Sequence, residues 1–260
     1  MKSLWLPEQR SFIRFHDLPG AEPALVLLHG LGSASSADFP AAARGPGLAR
    51  RRVLLPDFLG FGFSDKPADF DYSLESHAET VYRIIRHLGL SSVFLFGHSM
   101  GGAVAVALAA AHPEIVGRLV LAEANLDPGV GGGSKIIAAQ AESDYAAGGH
   151  AEFLAGVERE AEQTPGEAGY LGALRVADPL AVHRSAVGLI RGTVPPQRQL
   201  FLSMKIPRAY IFSGQSAGDP DVENLRAGGI RVLIVPKAGH GMMDDNPEGF
   251  ASALRSSFDL

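Results

Sequence analysis

The sequence contains no cysteine. That excludes disulfides, a thiol nucleophile and any zinc site built on thiolates. It also lacks a long apolar run: nothing approaches the roughly 20 residues that a membrane-spanning helix needs. The longest apolar stretch, Ala103 to Ala111, is rich in alanine and fits a buried helix. The first residues, "MKSLWLPEQRSF", have no apolar core of the signal-peptide kind, so a cytoplasmic protein is expected. Positive charge is not in excess either. With 23 Lys and Arg against 28 Asp and Glu, the net charge is −5, and the one basic cluster, "ARRRV" at Ala49 to Val53, is short. Neither a nucleic-acid partner nor a membrane partner is expected. No His, Asp and Glu spacing suggests a metal site. "GVGGGSK" (Gly129 to Lys135) has serine before lysine and no strand in front, which is the wrong order for a phosphate loop. No cofactor is expected.

What is present is an ordinary globular composition, 46% apolar and 20% charged over 260 residues. This length suits one large domain, or a domain with an insertion. "SFIRFHD" (Ser11 to Asp17) alternates like a half-exposed strand. "ALVLLHG" (Ala24 to Gly30), "RRVLLPD" (Arg51 to Asp57), "SSVFLFG" (Ser91 to Gly97) and "RLVLAEA" (Arg118 to Ala124) read as strands covered on both faces. Between them, Ser73 to Leu90 opens on a serine cap and places Val81, Ile84, Ile85 and Leu88 on one helical face. Strands alternating with helices predict an α/β protein with a mostly parallel central sheet. The rhythm stops after Glu123 and returns at "RAYIFSG" (Arg208 to Gly214) and "IRVLIVPKAGH" (Ile230 to His240), and a final helix follows Pro247. The expected organisation is a core of residues 1–124 and 206–260 with a helical cap inserted at 125–205.

The chemistry centres on "LFGHSMGG", where Ser99 lies between a strand and a helix-compatible run, flanked by glycines. Such a turn exposes the serine above the sheet, at the positive end of the next helix, and makes it a candidate nucleophile. A serine needs a base. Of the nine histidines, His240 lies in a glycine-flanked loop after the last strand, at the sheet edge where ligands of open α/β folds collect. His98 adjoins the serine, and its side chain is expected to point away. The oxyanion donors expected are the backbone amides of Met100 and of Leu31, in "HGLG". Glu123 closes an apolar strand with a carboxylate that must be paired, neutralised or used.

His29-Gly30-Leu31-Gly32, "DFLGFGFSDKP" (Asp57 to Pro67), "GHSMGG" and the late "AGH" together resemble the α/β-hydrolase superfamily over essentially the whole chain. The resemblance implies that fold, with the inserted cap, and a Ser–His–acid triad acting on a small-molecule ester or lactone. The Asp57 to Ser64 stretch has only a structural role in that family. The acid departs from the majority pattern, because the place three residues past Gly214 holds Ala217. Asp219 and Asp221 follow it. A minority of the superfamily takes its acid from the end of the sixth strand, where Glu123 stands. The expected site is therefore Ser99, His240 and Glu123, with Asp219 and Asp221 as alternatives for the acid. A serine in the nucleophile place disfavours dehalogenases, which use a carboxylate. Carbon–carbon bond hydrolases, cofactor-free perhydrolases and a receptor-like ligand-binding module share the scaffold and remain open.

Overall fold

The computed structural model describes residues 1–45, 47–163 and 167–259. Pro46, Thr164, Pro165, Gly166 and Leu260, which fall inside the expected core and cap, lie outside that description. Among the described residues, eight strands form one sheet: β1 (Lys2–Leu6), β2 (Ser11–Leu18), β3 (Ala21–Leu28), β4 (Arg51–Asp57), β5 (Val93–His98), β6 (Val116–Ala122), β7 (Arg208–Ser213) and β8 (Arg231–Val235). Their spatial order is β1-β2-β4-β3-β5-β6-β7-β8. β1 pairs antiparallel with β2 and β2 with β4, and the remaining pairs are parallel. The sequence reading missed β1. It is a short edge strand whose first residues are exposed, so its apolar signal reduces to half-buried Leu4 and buried Leu6.

The central strands are apolar without interruption because both of their faces are covered. Leu25, Leu27, Phe96 and Val120 pack on one side with Phe39 and Phe250, while Val26, Leu28, Leu95 and Leu121 pack on the other with Val104. Short helices α1 (Ser35–Asp38) and α2 (Pro40–Arg44) follow β3. Helix α3 (Leu74–His87) starts where expected: the Ser73 side chain accepts from the Ser76 amide at 3.1 Å, and Val81, Ile84 and Ile85 are buried. Helix α4 (Met100–Ala111) is buried from Met100 to Ala109. Its small Ala and Val side chains let it lie close to the sheet.

Among the described residues, no strand lies between β6 and β7. That stretch holds α5 (Gly132–Ala138), α6 (Glu142–Asp144), a π-helical turn (Tyr145–Gly149), α7 (His150–Gln163), α8 (Glu167–Val176), α9 (Pro179–Arg191) and α10 (Gln197–Ser203). Helix α9 ties it to the loops beneath. Asp178 caps α9, and its amide donates to the Gly60 carbonyl at 2.9 Å. Arg184 donates to the carbonyls of Ala68 and Phe70 and pairs with Glu142. Helices α11 (Pro220–Ala227), α12 (Met242–Asp245) and α13 (Pro247–Ser257) complete the chain. No helix of the described residues is long and apolar enough to cross a membrane.

Candidate active site

Ser99 occupies the turn between β5 and α4 at φ 52° and ψ −120°, a backbone region that non-glycine residues enter only under constraint. Its neighbours supply the constraint. A Cβ on Gly97 would lie 2.2 Å from the Gly101 carbonyl oxygen, and one on Gly101 would lie 2.4 Å from that of Leu28. Only glycine permits β5, the turn and α4 to approach this closely. The Ser99 amide donates to the Ala122 carbonyl at 2.9 Å, which ties the turn to the end of β6.

The loop after β3 is set by His29, which is fully buried. A carbonyl can only accept, so His29 Nδ1 carries the proton donated to Gly30 O at 2.8 Å. His29 Nε2 then accepts from the Phe58 amide at 3.1 Å. Burial holds the pKa of this imidazole down at about 4, consistent with a neutral ring. The Gly30 carbonyl also accepts from the Ser33 amide at 3.2 Å. The Gly30–Leu31 peptide is trans, so the Leu31 N–H points away from those two donors. Beneath the loop, Asp57 accepts from the Ser36 amide and hydroxyl and from the Phe63 amide, at 2.8 to 3.0 Å. This is the structural duty expected of that stretch.

His240 follows β8, and its side chain is 59% exposed because it stands in a cavity. The protein walls lower its pKa below the ordinary 6.5, and the Glu123 carboxylate opposes that shift. Glu123 lies 4.0 Å from His240 Nδ1 and is 14% exposed. That distance exceeds a hydrogen bond, and the contact becomes an ion pair only when the imidazole is protonated. The carboxylate is anchored elsewhere: Oε1 accepts from the Ser213 amide at 2.6 Å and Oε2 from the Ser216 hydroxyl at 3.2 Å. Like Ser99, Glu123 has a positive φ, of 45°. Of the alternative acids, Asp219 caps α11 and Asp221 pairs with Arg198 at 2.8 Å. Among the described residues, neither makes an ion pair with His240.

One expectation is corrected. The His98 side chain does not turn away from the site but lies against His240, with ring centroids 4.7 Å apart. Its Nε2–H donates to the His240 backbone carbonyl at 2.9 Å. Burial, then the neighbouring His240, lower its pKa to about 3, which keeps it a neutral donor. The sequence could not reveal this contact, because the two residues are 142 positions apart.

Ser99, His240, His98, Gly30 and Leu31 all border one cavity of about 800 Å³. Met100 is fully buried at the first position of α4, which has no side-chain cap at its N-terminus. The cavity roof comes from α5, α7 and α8, through Ile137, Phe153, Val157 and Tyr170.

A family model described as alpha/beta hydrolase fold matches residues 23–207. A 2-hydroxymuconate semialdehyde hydrolase of Pseudomonas putida is 44% identical over 110 residues, 41% of this chain and 37% of that protein. The matched stretch thus spans well under half the length of that curated relative. Among solved structures, the enol-lactonase from Burkholderia xenovorans LB400 superposes with a TM-score of 0.82 at 19% identity, with 100% of both chains covered. A thermophilic esterase from Thermogutta terrifontis gives 0.80 at 22% identity, covering 96% of this chain and 93% of that one. At these identities the likeness is one of fold.

Proposed function

The chain belongs to the alpha/beta hydrolase fold family, and we propose that within it this protein hydrolyses a carboxylic ester or lactone through an acyl-enzyme on Ser99. The observation that carries the reading is the strained Ser99 turn, opening into the same cavity as His240. In this reading, His240 Nε2 takes the proton as Ser99 Oγ attacks the acyl carbon. The Nδ1 side of the ring faces Glu123, whose charge balances the imidazolium. The 4.0 Å separation is of the kind that tightens when substrate fills a site. The amides of Leu31 and Met100 receive the oxyanion. Collapse expels the alcohol, which takes its proton from His240. Water, deprotonated by the same imidazole, then releases the acid and frees Ser99.

The identity with 2-hydroxymuconate semialdehyde hydrolase supports a second reading, cleavage of a carbon–carbon bond beside a carbonyl by the same Ser99 and His240. A burst of nitrophenol from a 4-nitrophenyl ester, stoichiometric with enzyme, tests the first reading. Ser99→Ala should lose both the burst and turnover while its circular dichroism is unchanged. A variant that kept most of the wild-type rate would end the acyl-enzyme reading.

A further inference from the structure

The His240 imidazole stands in the cavity with little to hold it. Its side chain is 59% exposed, its contact with Glu123 is 4.0 Å long, and Gly239 and Gly241 flank it. Its place is therefore set by its main chain, which flanking glycines leave free to move unless it is tied. Three ties come from the base's own end of the chain. The Ala238 carbonyl accepts from the Gln215 amide at 3.1 Å, and the Gly239 amide donates to Asp245 Oδ2 at 2.8 Å. The Gly241 carbonyl accepts from the amides of Asp244 and Asp245 at 3.0 and 3.1 Å. The tie at His240 itself is different. Its carbonyl accepts at 2.9 Å from His98, the residue next to Ser99.

His98 is the last residue of β5 and is only 5% exposed, so its ring is held by a rigid element. Nδ1, left unprotonated when Nε2 donates, lies against the loop after β3. A Cβ on Gly30 would stand 3.3 Å from it and 3.3 Å from Ser99 Cβ. One ring thus meets that loop, the nucleophile turn and the base loop together. Its charge state suits the place. Carboxylates of Asp38, Glu152, Glu160 and Asp244 border the same cavity. Even so, burial and the imidazoles of His240 and His29 outweigh the bond to the His240 carbonyl and hold the His98 pKa at about 3. A cationic donor here would oppose an imidazolium forming on His240, and a neutral one does not.

We propose that His98 is a positioning residue: by holding the His240 carbonyl it fixes the base loop against the nucleophile turn and sets the reach of the His240 imidazole to Ser99. The proposal rests on the Ser99–His240 pair of the reading above, and it holds for an ester, a lactone or a carbon–carbon substrate alike. Losing the tie leaves both reacting groups present but lets the base drift, and a misplacement of about 1 Å can cost about 10²-fold in rate. A side chain that merely filled space could be replaced by any other of its volume. One that ties the carbonyl can be replaced only by another neutral donor of the same reach.

The test compares His98→Gln, whose Nε2 amide keeps an uncharged donor at similar reach, with His98→Met, which fills similar space without one. Labelling of Ser99 by a fluorophosphonate is timed at about pH 8 and normalised to folded protein. In that reaction the Ser99 Oγ–P bond forms, the P–F bond breaks, and the serine proton passes to His240, whatever the natural substrate. His98→Met should label, and turn over 4-nitrophenyl butyrate, about ten- to a hundredfold more slowly, with kcat carrying the loss and KM within about threefold. His98→Gln should recover all but about threefold of it. Nitrogen NMR of the wild-type imidazoles from about pH 5 to pH 9 should show His98, assigned by its loss in His98→Gln, as the Nε2–H tautomer throughout. That measurement decides the matter even if His98→Met does not fold. Equal labelling by wild type and His98→Met, equal losses in both variants, or a charged or Nδ1–H His98 would overturn the proposal. A wild type that labels but hydrolyses no ester would overturn the ester or lactone reading and leave His98 its role. A wild type that does not label would overturn both.

Discussion

The ends of β5 and β6 lie side by side, and each finishes on a non-glycine residue in left-handed backbone, Ser99 at φ 52° and Glu123 at φ 45°. They are held there by different means. Ser99 is enforced sterically, by glycines so close to neighbouring backbone that no side chain fits. Glu123 is enforced by hydrogen bonds to Ser213 and Ser216, donors 90 and 93 residues away. A steric constraint leaves a local signature at fixed spacing. A constraint met by distant donors leaves none, and that is why "GHSMG" reads as a motif whereas "LAEAN" reads only as an oddity. Residues in such backbone persist only where the surroundings over-determine them.

Loss of the nucleophile in Ser99→Ala is the largest effect expected, as given above. Next comes Glu123→Gln, which keeps the side-chain shape and an acceptor for the Ser213 amide but removes the charge. Turnover should fall by about 10² to 10⁴. Asp219→Asn and Asp221→Asn should change turnover by less than about threefold, since they act at α11 and Arg198. The pH profile separates an electrostatic role from a merely structural one. The wild-type acid limb of kcat/KM should lie below the ordinary imidazole value of 6.5, because burial disfavours the imidazolium while Glu123 favours it. Removing that carboxylate lowers the His240 pKa further, so the limb should move to lower pH in Glu123→Gln. A limb that stays put, with only the melting temperature changed, would make Glu123 a structural hub and break the comparison with Ser99.

Gly101→Ala probes the steric end. Its Cβ would meet the Leu28 and His29 carbonyl oxygens at 2.4 and 2.6 Å, both of them backbone atoms that cannot step aside. Overpacking of this kind costs about 1 to 3 kcal/mol, which is roughly 3 to 10 °C in a chain of this size. A differential scan showing no loss would mean that the turn is held by something other than contact.

The smallest effect concerns Asp38. Its folded pKa of about 7 stands above the ordinary 3.8, so the unfolded chain ionises first as pH rises. Asp38 therefore subtracts stability progressively between about pH 4 and pH 7, and that stability stays lost above pH 7. Asp38→Asn should melt with the wild type at pH 4 and higher than it at pH 8. The difference is on the order of 1 kcal/mol once solvent in the cavity is allowed for, or about 2 to 4 °C. Identical melting at pH 8 would mean that the cavity tolerates this charge.

Most of the architecture follows from the order of residues alone. The apolar stretches within "ALVLLHG" (Ala24 to Leu28) and "SSVFLFG" (Val93 to Phe96) read as strands covered on both faces, because side chains alternate and each residue of those stretches is apolar. The glycines around Ser99 predict the sharp turn because no other residue fits there. β1 escaped, since a short edge strand with one covered face carries too few apolar residues to be distinguished from a loop. The candidate site divides along the same line. Ser99 and the Leu31 loop sit in local motifs, and His240 is suggested by the glycine-flanked loop after the last strand. Tertiary structure alone decided that Glu123, rather than Asp219 or Asp221, stands beside His240, that His98 holds the His240 carbonyl, and that carboxylates from α1, α7 and α12 share one cavity. The physical reason is separation along the chain. Propensity and periodicity act over a few residues, whereas charge and hydrogen bonding act through space, between groups that only the closed sheet and the helices over it bring together.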